Sequence, residues 1–160
     1  MRPPLKAWRW GCGAALLAAL LRLPALRLLL DRDEGEFATL AWLWRAGKGT
    51  PYRDWIEQKP PLALLPHWLA QACFSADPVL GLRWISLAWS SATVLAAFGL
   101  VLALGRAGRL GGRLRLTPSR LTLAAGLGAL LAALLANQVR SQAVAANTET
   151  WQTLPLVAAL

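Results

Sequence analysis

Three long runs of apolar residues dominate the chain, and polar or charged segments separate them. The runs cover residues 10–30, 82–104 and about 119–137. A helix of about 20 residues crosses roughly 30 Å of hydrocarbon, so each run has the length of a membrane span. The pattern predicts three full transmembrane helices, and the start of a fourth at about Trp151.

A shorter apolar segment, residues 62–76, leads to a different prediction. Its fifteen residues contain Pro66 and His67. They would form only about 22 Å of helix, which is too short to cross a bilayer. We therefore expect an interfacial or re-entrant helix.

The first run has two interpretations, because basic residues precede it as they do in a signal peptide. Its length, the lack of an A-x-A site and the acidic DRDEGE that follows favour an anchor span. Arg22 lies deep in this run and should face protein instead of lipid. That position indicates a larger helical bundle.

The arginines predict the orientation. The loop 105–118 and the residues next to it carry no acid and five arginines: Arg106, Arg109, Arg113, Arg115 and Arg120. By the positive-inside rule this loop and the N-terminus are cytoplasmic, and residues 31–81 and 138–150 lie outside. Because the last apolar stretch is too short to complete a span, we expect the chain to be the N-terminal part of a longer protein.

Composition agrees with a membrane class. Hydrophobic residues make up 56% of the 160 residues, charged residues only 16%, and the mean hydropathy is +0.43. The net charge of +9 does not indicate nucleic-acid binding, because the arginines lie between apolar runs and not on one polar face. Cys12, Cys73 and the single histidine His67 do not form a disulfide framework or a usual zinc site.

The outer loop 31–81 predicts a helix of its own. Asp33 and Glu36 have the spacing of a capping box, which would begin a helix that continues to about Ala46. The apolar positions at helical spacing predict one interfacial face: Phe37, Leu40, Ala41 and Trp44. Glycines and Pro51 end the helix.

Two groups of residues in this loop are suited to catalysis or ligand binding. Asp33 and Glu34 form an acidic pair, and Lys59 precedes two prolines that favour a helix start, where a phosphate would be bound. A carboxylate nearby can act as a general base or hold a divalent cation. Parity of the spans puts three further residues on the same side of the membrane: Arg140, Asn147 and Glu149.

Each of these residues also has a simpler interpretation, which the sequence leaves open. Asp33 can serve as a helix cap, and Asn147 and Glu149 can cap the fourth span. Lys59 can be a solvated loop lysine. Arg140 can extend its side chain to the membrane surface.

The order of the motifs resembles one family. After the first span come DEGEFA at 33–38, TPYRDW at 50–55 and QKPPL at 58–62, followed by Arg83 and by ANTE at 146–149. This order is similar to that of GT-C-type glycosyltransferases, above all the bacterial aminoarabinose transferases and the relatives of protein O-mannosyltransferases. That fold has about a dozen or more spans, whereas this chain supplies the first few.

The resemblance implies an all-α polytopic membrane protein of the bacterial inner membrane and an inverting transfer of a hexosyl or pentosyl group. The donor would be a polyprenyl-phosphate-linked sugar, and the acceptor an extracytoplasmic lipid, glycan or protein. Asp33 and Glu34 match the acidic pair at the active site, and Lys59 matches the lysine that faces the lipid phosphate. Arg140 would assist at the phosphate, and Asn147 with Glu149 would form a second acidic region on the acceptor side.

Two other classes remain as alternatives. The chain can be a truncated or accessory non-catalytic membrane subunit, or, less favoured, a transporter fragment. The charged residues group in one outer loop and not along a pore, which disfavours a transporter. The expected partners are the lipid-linked donor and membrane lipids, without nucleic acid. The sequence identifies no cofactor with certainty: the carboxylates alone do not demand a metal, although they are compatible with a divalent cation.

Overall fold

The structure, a computed structural model, describes residues 5–54, 63–107 and 117–135. Within these ranges the chain is helical and has no strand, so the predicted all-α class is confirmed there. The elements in chain order are α1 (Leu5–Arg22), a 3-10 segment (Leu23–Arg27), α2 (Arg32–Arg45), α3 (Leu65–Cys73), α4 (Pro78–Arg106) and α5 (Pro118–Leu135).

Helix α1 and the 3-10 segment together form the first predicted span. Alanine and leucine favour helix throughout α1, and Pro24 lies in the first turn of the 3-10 segment. Leu28 then takes an extended conformation. The helical part of the predicted span 10–30 therefore ends at Arg27, because residues 28–30 are not helical.

Helix α4 contains the second predicted span and extends beyond it at both ends. The Asp77 side chain accepts a 2.9 Å hydrogen bond from the backbone N–H of Leu80, and Pro78 occupies the first turn. Both are local signals that begin a helix. Its 29 residues make about 43 Å of helix, more than a bilayer core requires.

Two described helical segments are long and apolar enough to cross a membrane, Trp8–Arg27 and Pro78–Arg106. A signal sequence or the core helix of a soluble protein can have the same length and composition. Helix α5 corresponds to the third predicted span, but its apolar part, Pro118–Leu134, is shorter. The last residues of that prediction and the fourth span lie outside the described residues.

Helices α1, α4 and α5 pack on one another. Their shared core combines Phe98 and Leu102 of α4 with small residues of the two other helices: Ala14, Ala15, Ala18, Ala125, Ala129 and Ala133. Small side chains let helix backbones approach closely, which is the usual way that apolar helices associate in membranes. Gly11 shows the limit, because a Cβ there would lie 2.7 Å from the Phe98 ring.

Helix α3 packs against α4, and α2 packs against α3. The nine residues of α3 make only about 14 Å of helix, less than the roughly 30 Å of a bilayer core. The predicted apolar face of α2 contacts α3: Phe37 packs edge-on against His67, and Trp44 lies 6.3 Å from Trp68 between ring centroids.

The predicted capping box is wrong by two residues. The N-cap is Asp31, whose side chain accepts from the Glu34 N–H at 2.9 Å. The Glu34 side chain in turn accepts from the Asp31 N–H at 3.0 Å. Asp33 and Glu36 have the same spacing, so local sequence did not distinguish the two pairs.

Two glycines of α1 provide a matched test of this packing. We expect Gly11→Ala to destabilise the protein by about 1–3 kcal/mol, because the fully buried Phe98 ring must move. Gly13→Ala should be neutral or stabilising by roughly 0.5–1 kcal/mol, because nothing lies within 4 Å of the added Cβ. The free energy of unfolding in mixed micelles measures both, and equal effects would contradict the close contact.

Candidate functional site

A buried ion pair connects the start of α2 to the start of α4. Both side chains are inaccessible to solvent, Glu34 at 0% and Arg83 at 3% exposure. The Arg83 Nη2 donates to Glu34 Oε2 at 2.8 Å, and Nη1 donates to Oε1. This is the bidentate geometry that gives arginine–carboxylate pairs their strength and direction.

Arg83 also holds the extended link between α1 and α2. Its Nη2 donates to the Leu29 carbonyl oxygen at 2.7 Å, and its Nε donates to the Leu28 carbonyl oxygen at 3.3 Å. One guanidinium therefore satisfies two carbonyls that no helix uses. The residues after the 3-10 segment, the start of α2 and the start of α4 meet at this side chain.

A second buried arginine adjoins the pair. Arg22 is 2% exposed, which confirms the expectation that it faces protein. Its Nη2 donates to Ser86 Oγ at 2.8 Å, and it lies within electrostatic reach of both Arg83 and Glu34. The cluster therefore holds two guanidiniums and one carboxylate, and Glu34 compensates charge for both arginines.

The two members of the predicted acidic pair have different surroundings. Glu34 is enclosed and bound by Arg83 and by the Asp31 N–H. Asp33 lies next to it in the first turn of α2 and is exposed. Only an exposed carboxylate can meet an acceptor molecule, so Asp33 is the member suited to act as a base, and Glu34 is suited to position it.

The segment TPYRDW has a defined turn as far as the structure describes it. The Asp54 carboxylate accepts from Arg53 Nε at 3.1 Å, from Arg53 Nη2 at 2.9 Å and from the Thr50 N–H at 2.7 Å. These bonds to the charged form, the Arg53 bond first, lower the pKa of Asp54. Tyr52 adopts a positive φ of 67° in this turn, which is uncommon outside glycine.

Four predicted site residues lie outside the described residues: Lys59, Arg140, Asn147 and Glu149. The predicted meeting of the acidic pair with the lysine therefore stays a prediction. Within the described ranges, no group of three or more His, Cys, Asp or Glu side chains could hold a metal ion.

Sequence reasoning treated Arg83 only as part of the family likeness and did not pair it with Glu34. A signal was present, because Arg83, Ser86 and Ser90 follow one another at i, i+3 and i+7 in a largely apolar helix. That spacing puts polar groups on one face. All three are buried, and Arg22 of the neighbouring helix donates a hydrogen bond to one of them, Ser86.

In comparisons with protein-family models, curated proteins and solved structures, nothing matches this chain. The likeness to GT-C-type enzymes therefore depends on the spaced motifs alone.

Removal of one charge from the buried pair should be strongly destabilising. We expect Arg83→Gln to cost about 3–5 kcal/mol, and Glu34→Gln to cost more, because it leaves two buried guanidiniums without a carboxylate. The double variant should be less destabilised than the sum of the two single variants by more than about 1 kcal/mol.

The free energy of unfolding in mixed micelles, measured for the two single variants and the double variant, tests this coupling. The exposed neighbour Asp33 provides the control. Asp33→Asn should change the free energy of unfolding by less than about 0.5 kcal/mol. Additive single effects, or an Asp33→Asn variant as unstable as Glu34→Gln, would contradict the assigned pair.

Proposed function

We propose that this chain is the N-terminal, membrane-embedded part of a GT-C-type glycosyltransferase. It would transfer a sugar from a polyprenyl-phosphate donor to an acceptor outside the cytoplasm. The proposed location is the bacterial inner membrane, with the N-terminus in the cytoplasm and several spans.

The distribution of apolar and polar side chains supports the membrane location. Only 33% and 22% of the apolar windows in the two long helical segments are buried inside the protein, so most of their surface faces outward. Many large apolar side chains are exposed, among them Leu16, Leu20, Leu123, Leu127 and Leu131. Continuous apolar surface of this kind requires lipid or further helices around it. The buried charges face inward, as in membrane bundles.

The observation that carries the enzymatic proposal is the anchoring of the helical turn that contains Asp33. The Glu34–Arg83 pair anchors the first turn of α2, so the adjacent Asp33 carboxylate is held at the surface at the end of the bundle where α4 begins. Parity of the proposed spans puts this end outside the cytoplasm, where the acceptor would be. A rigidly supported and accessible carboxylate is what a general base requires.

The proposed reaction is a single displacement at the anomeric carbon. The acceptor oxygen attacks this carbon, the bond from the carbon to the phosphate oxygen breaks, and the configuration inverts. Asp33 accepts the acceptor proton, and the polyprenyl phosphate leaves with the bonding electrons. Lys59 would stabilise the phosphate charge, with Arg140 nearby, since electrostatic stabilisation contributes most where water is excluded. Glu149 and Asn147 would contact the acceptor side.

Labelling of the two free cysteines tests the proposed orientation. Cys12 lies in α1 and Cys73 ends α3, and both are exposed at the protein surface. In intact spheroplasts, a membrane-impermeant maleimide should label Cys73 from outside, whereas Cys12 should stay unlabelled because lipid surrounds it. Cys12→Ser and Cys73→Ser variants assign the signal, and labelling of Cys12 alone would contradict the orientation.

Transfer activity tests the enzyme. Membranes that express the whole open reading frame containing this sequence are supplied with radiolabelled polyprenyl-phosphate sugars. We expect Asp33→Asn and Lys59→Ala to lower transfer by about 10²-fold or more. Glu36→Gln is the matched control, because Glu36 is also an exposed carboxylate of α2, and this variant should keep near-normal transfer.

Stable insertion of the protein without consumption of any donor would contradict the proposal and favour the accessory-subunit alternative. Transfer that survives Asp33→Asn would remove Asp33 from the mechanism and leave the enzyme class intact.

A further inference from the structure

A groove of about 260 Å³ lies between α1 and α5 on the outside of the bundle. Leucines and glycines line most of it. Gly13 contributes open space, because a Cβ built there would meet nothing within 4 Å. Trp10 lies beside Gly126, 3.5 Å from the position of a Cβ on that glycine, and is 63% exposed.

Each of the two helices that form the groove has an arginine near the same end: Arg9 lines the groove, and Arg120 lies about one turn outside it. On α1, Arg9 precedes Gly13 and Leu17 at intervals of four residues, and all three line the groove. On α5, Arg120 lies three residues before the lining residue Leu123, on the same face of the helix. Both arginines are exposed.

The packing of α4 explains why these arginines share an end. The position of Gly11 lies against Phe98 and Arg22 bonds Ser86, so α1 and α4 are antiparallel. The position of Gly105, near the end of α4, lies against Leu121 near the start of α5. Helices α1 and α5 therefore begin at the same end of the bundle, which is the cytoplasmic end in the proposed orientation.

We infer that this groove binds one acyl chain of an anionic glycerophospholipid of the cytoplasmic leaflet, with Arg9 and Arg120 at its phosphate. The inference depends on the membrane location in the proposed function and not on sugar transfer. A phosphodiester supplies the counter-charge for Arg9 in the groove and for Arg120 at the same end of the neighbouring helix, and the apolar walls accept the chain. Exposed tryptophan next to arginine is typical of the membrane surface.

The same charges disfavour a protein segment in the groove. An apolar helix seated there would remove water from the Arg9 guanidinium without supplying a counter-charge, which is unfavourable in a membrane. A lipid with a neutral headgroup would fill the apolar part but leave the arginines without an added anion. Charge complementarity therefore selects the anionic lipid.

Native mass spectrometry of the complete protein in detergent tests this inference, with phosphatidylglycerol and phosphatidylcholine of identical acyl chains as probes. The wild-type protein should retain phosphatidylglycerol with the higher affinity. Arg9→Gln and Arg120→Gln should each lower that affinity about fivefold and leave phosphatidylcholine nearly unchanged. Gly13→Leu should weaken both lipids, because its side chain fills the groove.

Matched controls separate the groove from general surface charge. Arg106→Gln removes an exposed arginine at the same end of the bundle, and Gly128→Leu adds a side chain in open space on α5. Arg106 belongs to α4, which forms no wall of the groove, and Gly128 does not line it, so neither variant should change lipid retention. An Arg106→Gln effect equal to that of Arg9→Gln would overturn the assigned headgroup site.

Three other outcomes would also overturn the inference: equal retention of the two lipids by wild type, unchanged retention in Gly13→Leu, or a homodimer that Gly13→Leu dissociates. Alkaline extraction of membranes distinguishes this failure from failure of the proposed function. Release of the protein from the membrane would contradict the membrane location itself, whereas retention in the membrane without a lipid preference would contradict only the lipid site.

Discussion

The pair between Glu34 and Arg83 is the interaction on which the end of the bundle where α4 begins depends. Both charges are removed from water, so each is acceptable only while the other is present. The same guanidinium binds the carbonyls of Leu28 and Leu29, and the same carboxylate caps α2. The start of α2, the link between α1 and α2, and the position of α2 relative to α4 therefore depend on one another.

Away from this pair, the bundle is held by close packing of small side chains. Alanines of α1 and α5 face Phe98 and Leu102 of α4, and Gly11 leaves room for the Phe98 ring. Such contacts stabilise helix association by van der Waals packing. They do not depend on the hydrophobic effect, which does not drive helices together in lipid. The bond between Arg22 and Ser86 adds direction to this packing, because a buried guanidinium accepts few other arrangements.

The two ends of the bundle differ in chemistry. At the end where α4 begins, an anchored acidic segment presents the Asp33 carboxylate to solvent. At the opposite end, Arg9 and Arg120 border an apolar groove, and Arg106 ends α4. This asymmetry is consistent with a protein that lies across a membrane, with acceptor chemistry on one side and anionic lipid on the other.

The sequence by itself determined the helical class and the long apolar helices, because the length of an apolar run and the positions of prolines are local properties. It also determined the inward orientation of Arg22, because a charge that faces lipid has a high free energy. It could not decide which carboxylate is buried. Asp31 with Glu34 and Asp33 with Glu36 have the same spacing, and either pair satisfies the rule for a capping box. Glu34 is the buried carboxylate because it binds Arg83, which follows it by 49 residues and meets it only once the starts of α2 and α4 lie at the same end of the bundle.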